Sequence, residues 1–96
     1  MAKRPVHPGE VLSEDVLMPL GLSASKLARE LRIPTNHISE IIAERRSVTA
    51  DTALRLARFL GTSAEFWIGL QADFDLNTAR RSAQKWIEQE VRPRAS

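Results

Sequence analysis

The sequence predicts an all-α protein, in which a five-helix domain containing a helix-turn-helix is followed by a C-terminal helical extension. Apolar residues recur at helical spacing along most of the chain, and serine, threonine, proline and glycine separate the helical segments. The central observation is the stretch 23–43, where two short amphipathic helices are separated only by Arg32, Ile33 and Pro34. Such spacing is typical of a helix-turn-helix, whose second helix enters the DNA major groove.

Composition limits the class of protein. A chain of 96 residues with 43% apolar content forms one domain, residues 1–96. The absence of cysteine excludes a disulfide framework and cysteine-based zinc sites, and it suits a reducing cytoplasm. No apolar run is long enough to span a bilayer, so we expect a cytoplasmic protein without a membrane partner. A net charge of +2 allows a nucleic-acid partner, but on charge alone ordinary solubility is the favoured explanation.

The first helix is predicted to begin after a loose arm at residues 1–7. Pro8 suits the first helical position, where its missing N–H costs nothing, and Glu10 faces the positive end of the helix dipole. We expect this helix to end near Met18, because Pro19 disfavours helical geometry in the residue before it. Its predicted buried side consists of Val11, Leu12, Val16 and Leu17.

The second helix is predicted to start after the N-cap Ser23, and the third at Pro34 or Thr35. The apolar face of the third helix turns its polar residues outward, and its N-terminal end is where recognition helices meet base edges. Asparagine can bind adenine bidentately, glutamate can accept from cytosine N4, and serine or threonine can bind any base. The candidate DNA contacts are therefore Thr35, Asn36, His37, Ser39 and Glu40.

Two alternatives stay open for these polar residues. A solvated helix face has the same composition, although the adjoining turn and flanking helices favour DNA contact. His37 fits a phosphate or base contact and an ordinary surface histidine equally well. The basic pair Arg45 and Arg46 follows the third helix, where it is placed either to bind phosphate or to lie in a solvated loop.

Three segments complete the predicted domain. Thr49 caps a fourth helix with an inner stripe of Ala53, Leu54, Ala57 and Leu60, and Gly61 ends it. Thr62 or Ser63 caps a fifth helix that is anchored by Phe66, Trp67 and Leu70. Residues 73–91 read as a helical extension and residues 92–96 as a tail. Trp86 belongs either to the core or to a protein interface, since interfaces are enriched in tryptophan.

Motifs of enzymes and cofactor sites do not occur. The sequence contains no phosphate-binding glycine loop and no G-x-S-x-G elbow, and it has two histidines, no cysteine and no tyrosine. One histidine beside one carboxylate, as at His7 and Glu10, is too few for a metal site. We therefore expect no catalytic residues, no metal and no cofactor.

Taken in order, the segments HPGEVL, PLGLSASKLAREL, ISEII and SVTADTALRLARFLGTSAEFWIGLQADFDL closely resemble the HigA-type antitoxins, also called virulence-associated protein I-like proteins, of the Cro/repressor helix-turn-helix group. The resemblance covers roughly residues 6–80. It implies a homodimer that binds a palindromic operator, represses its own operon and neutralises a HigB-type ribonuclease toxin. It also implies base contacts at Thr35, Asn36, His37, Ser39 and Glu40, and phosphate contacts at Ser23, Ala24 and Ser25.

Two positions depart from the family pattern. Arg32 stands where the turn usually carries glycine, and a left-handed conformation there would cost about 1 kcal/mol. Ala43-Glu44 stands where the family commonly has Asn-Gly after the third helix. The sequence therefore allows two alternatives here, a longer third helix or a loop of different shape.

Two other functions also fit the sequence. One is a stand-alone transcriptional regulator of the same fold without a toxin. The other is a helical protein-binding module that has lost DNA binding, for which Glu40 and Glu44 near the groove-facing surface are the supporting features.

Overall fold

The computed structural model describes residues 4–95, and this part of the chain contains five helices and no strand. Helix α1, residues 8–20, consists of three consecutive pieces, Pro8–Val11, Leu12–Leu17 and Met18–Leu20. The others are α2 (Ala24–Leu31), α3 (Thr35–Ile42), α4 (Ala50–Leu60) and α5 (Ala64–Glu90). The predicted all-α class is confirmed, and the predicted extension continues the fifth helix without a break.

The helix ends follow local sequence signals. The hydroxyl oxygens of Ser23, Thr49 and Ser63 accept hydrogen bonds from backbone N–H groups in the first turns of α2, α4 and α5. Gly21 and Gly61 end α1 and α4 in the left-handed conformation, with φ of 65° and 77°. The predicted caps at Ser23, Thr49, Ser63 and Gly61 are therefore confirmed, and Gly21 is a further cap.

The prediction that Pro19 ends the first helix is wrong. The turns at Leu12–Leu17 are π-helical, and the Met18 N–H donates to the Ser13 carbonyl five residues earlier. Proline removes one hydrogen bond and its ring displaces a carbonyl of the preceding turn, so widened turns just before Pro19 accommodate it. The helix continues to Leu20 and ends at Gly21.

The core brings α1 and α5 against the helix-turn-helix. It is formed by buried apolar side chains from all five helices and from the loop before α4: Leu12, Leu17, Leu27, Ala28, Leu31, Ile38, Ile41, Val48, Ala53, Leu56 and Trp67. The Trp67 indole N–H donates to the Thr62 hydroxyl at 2.8 Å, which satisfies its polar atom. A Cβ on Gly9 would lie 1.9 Å from the Ile41 carbonyl oxygen, so glycine lets the start of α1 touch the end of α3.

Three predicted core positions are exposed instead. Leu54 is 64% exposed, and Leu56 is the buried leucine of α4. Phe66 is 44% exposed, which leaves Trp67 as the buried anchor at the start of α5. Trp86 is 66% exposed, so its assignment to the core is wrong and the interface alternative remains.

The N-terminal segment is partly packed. Residues 1–3 of the predicted loose arm lie outside the described residues. The Arg4 guanidinium pairs with the Glu10 carboxylate at 2.7 Å, and His7 is 3% exposed. Loose structure therefore does not extend to His7. No helix among residues 4–95 is both long and apolar enough to cross a membrane.

Candidate nucleic-acid interface

The turn between α2 and α3 is closed by backbone hydrogen bonds around a left-handed residue. Arg32 has φ 61° and ψ 42°, and the Ile33 N–H donates to the Ala28 carbonyl at 3.0 Å. This is a Schellman motif with arginine at the position that favours glycine. Pro34 then precedes the first residue of α3 with extended backbone angles. Arg32 therefore has the left-handed conformation for which the sequence analysis predicts a cost of about 1 kcal/mol.

The end of α3 repeats this motif. Glu44 has φ 63°, and the Arg45 N–H donates to the Glu40 carbonyl at 2.8 Å. The predicted alternative of a longer third helix is excluded, since α3 stops at Ile42. Both departures from the family pattern thus keep a left-handed turn and place a charged side chain on it.

The outer surface of α3 carries four of the five predicted base contacts. Ile38 and Ile41 are fully buried on the inner side. On the outer side, Thr35, Asn36 and Ser39 are exposed and Glu40 is half-buried. The Ser39 hydroxyl donates to the Thr35 carbonyl at 3.2 Å, which fixes its direction along the helix. We call the surface formed by Thr35, Asn36, Ser39 and Glu40 the reading face.

His37 lies apart from the reading face. Its Nε2 atom is 3.4 Å from the Thr52 hydroxyl on α4, and Thr52 is almost fully buried. The half-buried ring therefore connects α3 to α4, a role that neither alternative from the sequence included. The local sequence could not show it, because the partner lies 15 residues away.

The N-terminus of α2 is the first predicted phosphate site. The Ser23 hydroxyl accepts the Lys26 N–H at 3.1 Å and lies 3.2 Å from the Ser25 hydroxyl. Both serines are exposed, and Ala24 between them is half-buried. The helix N-terminus and two accessible hydroxyls therefore face solvent together, as an anion-binding helix end requires.

The two arginines after α3 are not equivalent. The Arg46 guanidinium binds one oxygen of Glu40, with Nη2–Oε1 at 2.7 Å and Nε–Oε1 at 2.8 Å. This hydrogen bond is the main cause that lowers the pKa of the Glu40 carboxyl, with smaller contributions from Asn36 and from the charge of Arg45. Arg45 is exposed and forms no ion pair within residues 4–95. From the sequence alone, Arg45 and Arg46 had been given the same pair of alternatives, phosphate binding or a solvated loop.

Two further residues that the sequence analysis missed hold the helix-turn-helix in place. Arg55 on α4 donates to the Leu31 carbonyl at 2.9 Å and pairs with Asp51 at 2.6 Å. The buried Gln71 side chain on α5 accepts the Val48 N–H at 2.8 Å, which fixes the end of the loop that carries both arginines. The spacing of Asp51 and Arg55 was visible in the sequence, whereas Gln71 looked like any polar residue of an amphipathic helix.

His7 connects the start of α1 to α5. Its Nδ1 atom accepts the Gly9 N–H at 2.9 Å, and its ring meets the Phe74 ring edge-on at a centroid distance of 4.8 Å. Burial is the main cause that lowers the pKa of His7, so the neutral ring needed for this cap is favoured. Because Gly9 touches α3, this cap helps to fix the recognition helix against the long helix.

The fold and the exposed α3 define a helix-turn-helix protein, and a family model with that description matches residues 14–67. Virulence-associated protein I of Dichelobacter nodosus is 47% identical over 79 residues, 82% of this chain and 73% of that protein. An addiction module antidote protein of the HigA family from Coxiella burnetii has a TM-score of 0.89 at 49% identity, covering 96% of this chain and all of that one. The structure of Pseudomonas aeruginosa antitoxin HigA with the higBA promoter has a TM-score of 0.91 at 41% identity, with 96% and 100% coverage.

The chain therefore belongs to the family of the HigA antitoxins and virulence-associated protein I. The resemblance inferred from the sequence is confirmed. This helix-turn-helix family is non-enzymatic, which also confirms that the protein is not an enzyme.

Proposed function

We propose that this protein is a DNA-binding antitoxin that represses its own operon and neutralises a HigB-type toxin in the cytoplasm. The observation that carries the proposal is the reading face, a polar and exposed surface on a short helix whose other side is fully buried. The Pseudomonas aeruginosa relative with the higBA promoter supports it, because its fold covers 96% of this chain.

The proposed DNA contacts divide into two kinds. On the reading face, Asn36 has the donor and acceptor needed for adenine, Glu40 can accept from cytosine, and Thr35 and Ser39 add adaptable hydroxyls. Around it, the helix end at Ser23, Ala24 and Ser25 and the exposed Arg45 bind phosphates, which position the protein without reading sequence. Arg46 adds a further phosphate contact after its ion pair with Glu40 opens. His37 positions α3 through Thr52.

A homodimer is proposed because α5 carries an apolar stripe that residues 4–95 leave largely exposed. Helical periodicity places its members within about 100° of one another on the side opposite Trp67 and Phe74. The stripe consists of Ile68, Ala72, Leu76, Ala79, Ala83, Trp86 and Ile87. Three of these residues, Leu76, Trp86 and Ile87, are more than half exposed. A 27-residue helix is about 40 Å long, enough for a helix-helix interface.

Charge favours an antiparallel arrangement of the two stripes. Asp73 and Asp75 lie in the first half of the stripe, and Arg80 and Arg81 lie in its second half. An antiparallel second copy that overlaps the stripe therefore brings acidic residues of one helix near basic residues of the other. The two-fold axis would present two reading faces, about 34 Å apart, to a palindromic operator.

The DNA proposal is tested by fluorescence anisotropy with the duplex upstream of this gene and a scrambled duplex, at two salt concentrations. We expect at least about a thousandfold preference for the upstream duplex, the low end for specific binders. Equal weak binding to both would refute operator recognition.

The toxin proposal is tested separately by gene context and growth. We expect a short basic reading frame next to this gene, whose expression stops growth unless this protein is co-expressed. If no such neighbour exists, or if the protein does not restore growth, a stand-alone regulator of the same fold replaces the antitoxin.

A further inference from the structure

We infer that Glu40 is a specificity filter: by holding Arg46 in an ion pair, it withholds a phosphate contact from DNA that offers its carboxylate no hydrogen-bond donor. The inference rests on the DNA binding proposed above and concerns how the same site rejects wrong sequences. Its starting observation is that one predicted base reader and one predicted phosphate binder are bonded to each other.

The backbone produces this pairing. Glu44 in the left-handed conformation reverses the chain, and the Arg45 N–H closes the turn on the Glu40 carbonyl at 2.8 Å. Arg46, six residues after Glu40, thereby returns to the carboxylate that lies on the reading face. Two of its nitrogens converge on the same oxygen, Oε1, at 2.7 and 2.8 Å. The second oxygen, Oε2, does not bond to Arg46 and can accept a further donor, and Asn36 on the same face also contributes a hydrogen bond to this carboxyl.

The pair between Glu40 and Arg46 is weak enough to open. Both side chains are partly exposed, and ion pairs in this setting contribute little to stability. A DNA phosphate is therefore a competitive partner for Arg46, provided that Glu40 finds a donor of its own. A cytosine N4 amino group on the reading face supplies such a donor.

Non-cognate DNA does not offer Glu40 a hydrogen-bond donor in place of Arg46. If no amino group faces Glu40, release of Arg46 leaves an ionised carboxylate among base-edge acceptors and near phosphates. A glutamate carboxyl is ionised at neutral pH, and the hydrogen bond from Arg46 lowers the pKa of Glu40 further. The pair then stays closed, and Arg45 is the cation of this loop that remains available for phosphate.

The rival explanation is direct repulsion, in which Glu40 weakens DNA binding through its own charge and Arg46 is irrelevant. The two explanations differ in salt dependence, because each phosphate contact steepens the slope of log K against log salt by about 0.9. If Glu40 acts as a filter, removal of its charge adds a phosphate contact only when Arg46 is present to make that contact.

The test measures binding of Glu40→Gln, Arg46→Ala and the double variant to the scrambled duplex over a salt series. Glutamine keeps the shape and removes a negative charge near the helix C-terminus, where it is unfavourable, so the fold is retained. We expect Glu40→Gln to tighten non-specific binding and to steepen the slope by about 0.9 per bound subunit. Between 50 and 200 mM salt this is an extra affinity loss of about 3.5-fold per subunit.

In the Arg46→Ala background, Glu40→Gln should leave the slope unchanged. A slope that does not steepen in the single variant overturns the inference, and so does equal steepening with and without Arg46. Arg45→Ala is the matched control, since it should flatten the slope equally in the wild type and in Glu40→Gln. If the wild type itself shows no preference for its upstream duplex, the proposed function fails instead.

Discussion

Replacing the two left-handed charged residues with glycine should stabilise the fold. Arg32 and Glu44 have φ of 61° and 63° and end α2 and α3. The left-handed region costs a residue with a side chain about 1–2 kcal/mol. Glycine removes that cost but gives the unfolded chain more freedom, which offsets about 0.4–1 kcal/mol. The net gain is therefore about 0.8 kcal/mol for each substitution.

The assay is thermal and urea unfolding of Arg32→Gly, Glu44→Gly and the double variant. For a domain of this size, 1 kcal/mol raises Tm by about 4–8 °C, so each variant should gain about 3–6 °C. Arg29→Gly is the matched control, because Arg29 is an exposed residue inside α2, where glycine should cost about 1 kcal/mol. If Arg32→Gly and Glu44→Gly were destabilised as Arg29→Gly is, the assignment of strain to these two turns would be refuted.

Three other changes test separate parts of the protein. Asn36→Ala should weaken operator binding by about 1–3 kcal/mol per subunit and relax preference at one base pair, measured with single-substitution operators; unchanged specific binding would contradict the reading face. Trp86→Ala should shift sedimentation toward the monomer, whereas Thr78→Ala, on another side of α5, should not. His7→Asn should flatten the pH dependence of the free energy of unfolding. The fold lowers the pKa of His7, so the unfolded chain takes up a proton before the folded one does. The wild type should therefore lose stability as the pH falls below about 6.5, the ordinary pKa of histidine, and the variant should not.

Local signals account for the features of the fold that were predictable. The caps at Ser23, Thr49 and Ser63 and the glycines at Gly21 and Gly61 act within one helical turn, so the sequence around each position contains all the interacting groups. The apolar faces of α2 and α3 follow a simple period for the same reason. The family resemblance added the identity of the class, which local signals alone do not supply.

The errors have different causes. Leu56 lies closer than Leu54 to the centre of the stripe formed by Ala53, Ala57 and Leu60, so the periodicity itself could have identified the buried leucine. The roles of His37 and Arg46 could not be found this way. Each depends on a partner brought close by a tertiary contact or by a left-handed turn, namely Thr52 on α4 and Glu40 on α3.

The two faces of α5 connect the proposed dimer to DNA reading. On the inner face, Gln71 holds the loop after α3 and Phe74 meets the ring of His7. On the outer face, the apolar stripe is available to a second copy. Because one continuous helix carries both faces, the spacing of two reading faces depends on how the stripes pack. A substitution within the stripe that keeps the dimer but shifts its packing should therefore lower operator affinity without any change at a DNA contact.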